Sequence, residues 1–383
     1  MPRIRNISIL MVLALVFSCI KPFDPEISGD EEEKYVVVGK VTDTGGWQDV
    51  KISLTSPIKN PSYIPVQGCQ VEIHDDRGNI FSMEEYEPGS YHAWMDQQYL
   101  QTGTSYQVVV FTPDGSELQS SFDRMQTCPP LDSVYYNLVE IPTNDPSIDN
   151  IGLQFYVDLN AEGSQSRYYK WEVAETWEYH SHHVLEYYYD GEHHHLDPPD
   201  SSMFACWVSG VFPQIFTLST KNFSSNTYHK FPLHFIDGTT SRLSVLYSIL
   251  VRQMAISEEA YNYWDEMRVN SNQQGGLYEK QPLSIIGNII DVTHPDQKVL
   301  GYFYAASEST RRYFYKDIDG LDLNFFDYCN EQPLRRGGWL SYGPRDYPVY
   351  YYYNIYYVPR TLDHECVDCR LRGGNTTKPD FWP

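Results

Sequence analysis

The 383-residue chain is poor in basic residues: 28 Lys+Arg stand against 51 Asp+Glu, for a formal charge of −23. That deficit disfavours nucleic acid, whose binding depends on cations that neutralise phosphates. It equally disfavours adhesion to an anionic lipid surface. No apolar run reaches the roughly 20 residues that a membrane-spanning helix needs. Catalytic motifs are missing too. There is no G-x-S-x-G elbow and no G-x-G-x-x-G or phosphate-binding loop, and His364-Glu365 lacks the second histidine of H-E-x-x-H. Pairs such as Asp75/Asp76 and Asp317/Asp319 do not stand out from the acidic surface expected at this charge. Nothing here argues for an enzyme.

What is present is aromatic: 33 Tyr, 17 Phe and 8 Trp, within a hydrophobic fraction of 41%. That is enough for a core and too rich for a disordered chain. The tyrosine excess marks half-exposed sheet faces rather than a helical interior. Domains commonly run to roughly 100–200 residues, so the length predicts two.

Arg3 and Arg5 precede an apolar run over 9–17, too short to span a bilayer and suited to the core of a signal peptide. Leu15-Val16-Phe17-Ser18-Cys19 resembles a bacterial lipobox, with a small residue before an obligatory cysteine; the bulky Phe17 is its chief departure. The resemblance implies removal of residues 1–18 and lipid attachment at Cys19. Residues 19–34 contain Pro22, Pro25 and Asp30-Glu31-Glu32-Glu33, which cannot bury apolar area and predict an extended acidic tether. The acidic run reads either as a solvated linker or as a signal that places lipoproteins on the outer face.

Residues 35–126 show about seven short strand patterns separated by turn signals such as Asp76-Arg77-Gly78-Asn79 and Pro113-Asp114-Gly115, which predicts an immunoglobulin-like sandwich. Cys128-Pro129-Pro130 marks a boundary. A larger β-rich domain follows over 131–383. Within it, residues 242–252 predict a strand with Leu243, Val245, Tyr247, Ile249 and Val251 on one face. One helix interrupts the pattern at about 257–272: Ser257 can cap it, Glu258 and Glu259 suit its positive end, and Ala260, Tyr261, Trp264 and Met267 form a packing stripe. The tyrosine run over 347–357 predicts an aromatic strand or an exposed adhesive segment. The fold class is mainly β.

Apart from Cys19, six cysteines remain: Cys69, Cys128, Cys206, Cys329, Cys366 and Cys369. An even number in an exported chain predicts disulfides, with the pairing open. Cys366-Val367-Asp368-Cys369 also has the spacing of redox and zinc sites, but only His364 lies near as a further ligand. Half of the 12 histidines cluster in His180-Ser181-His182-His183 and His193-His194-His195, on either side of an Asp190-Gly191 hairpin turn. Such a hairpin could bring His180, His182, His193 and His195 round a divalent transition metal, or stay a solvated loop. Adjacent residues of a strand face opposite ways, so only part of the cluster could share one ion.

Several blocks together resemble a family of outer-membrane lipoproteins of Bacteroidota-type bacteria known only as a domain of unknown function. They include Cys19 to Asp24, Thr55-Ser56-Pro57, Pro129-Pro130-Leu131-Asp132-Ser133-Val134 and Cys206-Trp207. The most specific is Tyr247-Ser248-Ile249-Leu250-Val251-Arg252-Gln253, continuing through Glu259-Ala260-Tyr261 and Tyr263-Trp264. Gly287-Asn288-Ile289, Val299-Leu300-Gly301-Tyr302-Phe303 and the end from Glu365 to Arg370 with Lys378 to Trp382 also match. Genes of that family tend to sit beside TonB-dependent receptors. The resemblance therefore implies a non-enzymatic lipoprotein, anchored in outer-membrane lipid through Cys19 and accessory to such a receptor. It carries over no catalytic residues; Arg252, Gln253 and Asn288 are polar markers that structural bonding or ligand contact would explain equally. Two further functions fit the residues: a metal-binding or hydrolytic surface lipoprotein using hairpin 180–195, and a structural or adhesion module.

Overall fold

Apolar residues at every second position build most of the chain into strands. In β1 (Tyr35–Thr42), Val37 and Val41 are buried while Val38 is exposed; in β2 (Gly46–Leu54), Val50 and Ile52 turn inward and Trp47, Asp49 and Lys51 outward. The computed structural model describes residues 33–57, 61–142, 149–272, 285–321, 329–335 and 337–383. Cys19, the signal segment and nearly all of the tether lie outside the described residues. Lys34–Thr55 together with Tyr63–Pro383 make one compact unit.

Seven more strands follow: β3 (Ile64–Pro65), β4 (Gln70–Asp75), β5 (Ile80–Glu87), β6 (Ser90–Met95), β7 (Ser105–Phe111), β8 (Glu117–Ser120) and β9 (Asp123–Arg124). After them come β10 (Ser133–Pro142), β11 (Asp149–Asn160), β12 (Tyr168–His180), β13 (Leu185–Tyr189), β14 (His193–Asp200), β15 (Ala205–Val211), β16 (Phe216–Ser219), β17 (Thr227–Asp237) and β18 (Leu246–Ala255). Helix α1 (Glu258–Asn272) precedes β19 (Ile286–Asp291), β20 (Lys298–Leu300), β21 (Phe303–Tyr315), β22 (Glu331–Pro333), β23 (Val349–Tyr353) and β24 (Pro359–Leu362). The chain is mainly β.

The strands of 35–126 do not close by themselves. Strands β19 and β20 stand between β8 and β1, and the β1–β2 pairing closes the order β1-β20-β19-β8-β7-β4-β5-β6-β2 into a barrel-like ring. Closure removes the unpaired edges that an open sheet presents. Its interior holds Val37, Ile52, Ile73, Tyr106 and Val108 together with Ile289, Val299, Phe303 and Ala305 from the far end of the sequence.

Strand β21 joins this ring to the second half. Its first residues run parallel to β1, with Gly39 opposite Phe303 and Thr42 opposite Ala306; from Ser307 to Tyr315 it is antiparallel to β18. Beyond β18 lie β12 and β15. A second core gathers Trp171, Val173, Ile249 and Val251 with Phe155 and Ile236 of the separate sheet β10-β11-β17.

The helix falls where expected. Ser257 Oγ accepts the Ala260 N–H at 3.1 Å, and Ala260, Tyr261 and Trp264 pack on Met254, Tyr302 and Tyr304. The strand expected over 242–252 starts later, because Ser241–Leu243 is a 3-10 turn. The Ser244 hydroxyl and N–H both bond the Ser241 carbonyl, at 2.7 and 3.1 Å, and so compete with the ladder. The tyrosine run divides into a strand and an exposed turn. Its first part is β23, in the sheet β14-β13-β23-β24-β22, while Ile355, Tyr356 and Tyr357 stand exposed at a turn.

Four of the six cysteines pair: Cys206 with Cys369 and Cys329 with Cys366. The C-x-x-C pair is thus shared between two distant partners rather than forming one redox or zinc unit. Cys69 and Cys128 are free, contrary to expectation. Cys69 packs against the first core and Cys128 against the second, so neither has a thiol partner. Burial pushes the Cys128 thiol up to about 12, which leaves it an unreactive packing group.

Candidate ligand cleft at the strand junction

Where β1 leaves β21 and β18 takes its place, the outward faces of five strands converge on a cleft of about 420 Å³. Strand alternation selects its residues. Lys40 faces outward on β1 and Trp47 on β2 because their neighbours fill the ring. On β12, Tyr169, Trp171 and Val173 enter the second core, which turns Lys170 and Glu172 the other way. Arg252 stands directly across from Glu172, and Tyr304 lies beside Lys40 in parallel register. Glu308 and Trp264 of α1 complete the lining.

These groups form one ionic network. Glu172 receives Lys40 Nζ at 2.6 Å, Lys170 Nζ at 2.8 Å and Arg252 at 3.3 Å. Burial alone would raise its pKa, but Lys170 and Lys40 outweigh burial and hold the carboxyl below the usual carboxylate range. Lys170 also donates to Tyr304 Oη at 3.3 Å and lies 4.5 Å above the Trp264 ring. Arg252 Nε comes within 3.3 Å of Glu308 Oε2 without the alignment of a hydrogen bond, and it and Trp264 Nε1 are buried donors with no acceptor.

Trp47 connects the cleft to a row of rings on the outer ring wall. Trp47, 54% exposed, stacks on His92 at 3.9 Å; Tyr86 stacks on His92 at 4.5 Å, and Trp94 meets Trp47 edge-on at 5.4 Å. Large rings held by one another yet open to water are suited to recognising a flat ligand.

The histidine hairpin forms, with Tyr187 opposite His195, Tyr188 opposite His194 and Tyr189 opposite His193. It does not gather the expected quartet. His180 Nε2 bonds Glu178 at 2.8 Å, His193 Nδ1 bonds Tyr351 Oη at 3.1 Å, and His195 stacks on Tyr187 near Glu186. His182 lines a separate cavity of about 450 Å³ together with His183 and Tyr352. Among the described residues, one set offers three metal-ligand atoms within 4.8 Å of one another: His183, Cys329 and Glu331. Its sulfur is already spent in the bond to Cys366, and Glu331 is held by Tyr352 at 2.7 Å and Arg360 at 3.1 Å. Two ligands then remain, short of the three or four of a zinc site. Pairing His183 with Glu331 across 148 residues had no signal in the sequence.

The polar markers divide. Gln253 accepts from Trp171 Nε1 at 3.1 Å and donates to the Pro129 carbonyl at 2.9 Å; Asn288 brackets the Phe303 backbone at 2.8 and 3.0 Å. Both fasten the fold, and only Arg252 reaches the cleft.

No curated protein matches the chain. Among solved structures it is similar to trypsin-activated alpha-2-macroglobulin from Escherichia coli, at 10% identity and a TM-score of 0.20, covering 59% of this chain and 15% of that one. The native conformation of E. coli alpha-2-macroglobulin gives 11% identity and a TM-score of 0.19, covering 59% and 13%. The chain thus spans less than a sixth of those proteins, and scores so low carry no conclusion about fold or function. A family model does match, over residues 20–312, most of the chain. The protein belongs to the DUF4249 family, a domain of unknown function.

Proposed function

We propose that the protein is a lipid-anchored, non-enzymatic capture protein of the outer membrane, accessory to a TonB-dependent transporter, and that it holds its ligand in the junction cleft. The observation that carries this reading is the cleft itself. It combines an exposed tryptophan, a half-buried charge network with unsatisfied donors, and walls drawn from the outward faces of strands in both halves of the chain. Binding sites favour such concave places with a few convergent polar groups. Anchoring rests on the lipobox-like segment ending at Cys19, and the acidic run after it would be repelled from anionic headgroups. An immunoglobulin-like module over 35–126, completed by 286–306, would serve as the scaffold that fixes β1 and β2 at the cleft. Affinity capture from detergent-solubilised outer membrane tests the partnership. A large β-barrel receptor should be recovered; recovery of abundant porins alone would count against it.

The metal reading keeps one observation, the His183–Glu331 contact at 3.2 Å. Zinc calorimetry on the wild type and on the His183→Ala variant separates it from capture. Stoichiometric binding lost in the variant would favour the hairpin.

A further inference from the structure

The capture reading leaves the ligand's chemistry open, and the charges round the cleft narrow it. Three cations, Lys40, Lys170 and Arg252, meet two carboxylates, Glu172 and Glu308. On the rim Asp49 and Lys51 offset each other. The cleft therefore carries a surplus of one positive charge in a protein whose net charge is −23. Lys170 is buried against Glu172, whereas Lys40 and Arg252 keep 28% and 35% of their side chains exposed, within reach of a ligand. Arg252 Nε and Trp264 Nε1 also lack acceptors. Donors in excess and one unbalanced positive charge call for a ligand with acceptor oxygens and a single negative charge. A neutral sugar would leave the charge unbalanced. A dianionic phosphate would overshoot, setting a second negative charge beside Glu172 and Glu308. At the mouth, Trp47 offers an aromatic surface steadied by His92.

We propose that the cleft binds a small ring-bearing monocarboxylate, with the carboxylate received by Arg252 and Lys40 and the ring lying against Trp47. This rests on the capture function above and adds the chemical class of the ligand. The Arg252 guanidinium suits it, since a planar fork matches a carboxylate better than a point charge does.

Calorimetry on the full folded chain, with two matched probe pairs, tests the assignment: D-glucuronate against D-glucose, and benzoate against benzamide, with inorganic sulfate as competitor. At least one carboxylate should bind about tenfold more tightly than its neutral partner. Binding should weaken as salt rises, and sulfate should not displace the probe. Lys40→Met should weaken binding about tenfold while the circular dichroism spectrum stays unchanged. Trp47→Ala, at an exposed position, should weaken it without loss of folding. Equal binding of neutral partners, displacement by sulfate, or no binding of any probe at millimolar concentration would each overturn the assignment. If a β-barrel receptor still co-purifies, the capture function stands and only the ligand class fails; if it does not, both fail.

Discussion

Acid should unfold this protein partly through one histidine. His234 is 2% exposed, lies against Phe155 at 5.0 Å and Phe212 at 3.9 Å, and has Nε2 3.0 Å from Tyr247 Oη. Tyr247 donates its proton to Glu175 Oε2 at 3.1 Å, so it can only accept from the imidazole. The proton of neutral His234 is thereby assigned to Nε2, and Nδ1 is buried without a partner. A second proton would sit on Nδ1 with nothing to receive it. Burial first, then the Arg242 charge, lowers the pKa from 6.5 to about 3. In the unfolded chain the ring titrates near 6.5. Below that value the unfolded state binds the extra proton, so stability present above pH 6.5 is lost as pH falls towards 3. Between pH 7 and pH 5 this amounts to about 2 kcal/mol. Urea denaturation of the wild type and His234→Gln at both pH values measures it. The wild type should lose about 2 kcal/mol more than the variant over that interval. Asp123, raised by burial to about 6, acts with the opposite sign but equally in both proteins, so it cancels from the comparison. Parallel losses would refute the reasoning.

Three further outcomes follow from the fold. Gly301 has φ +93°, and an added Cβ would fall 2.1 Å from the Val37 carbonyl oxygen, so Gly301→Ala should cost about 2–4 kcal/mol in urea denaturation. Opening the Cys206–Cys369 bridge, whose cysteines are 163 residues apart, should cost about 3–5 kcal/mol by the chain-entropy estimate; thermal melts of Cys206→Ser/Cys369→Ser against the wild type read it, and an unchanged midpoint would contradict it. Zinc calorimetry on the oxidised protein should find no tight site, because Cys329 is spent in its disulfide; stoichiometric uptake would contradict that.

Local patterns in the sequence carried a good part of this structure. The helix was legible because Ser257, Glu258 and the Ala260–Trp264 stripe all act within a few residues. The Asp190-Gly191 hairpin was legible for the same reason. Ring closure was not. Strands β19 and β20 complete a core that began some 250 residues earlier, and periodicity shows that a strand has a buried face but not what covers it. The resemblance blocks acquire physical reasons in retrospect. Gly287 and Gly301 come so close that a Cβ on Gly287 would fall 1.5 Å from the Gly301 oxygen, and Asn288 ties down Phe303 beside them. The cleft stayed hidden because its five charges come from four strands, and in a strongly acidic chain no single Lys or Glu among them stands out.

Intact-mass and amino-terminal peptide mass spectrometry of the protein isolated from its own cells bears most directly on the membrane role. Chains that begin at Cys19 with acyl groups on that residue are the predicted result. A mature form with an unmodified start, recovered free in solution, would contradict the anchored capture function.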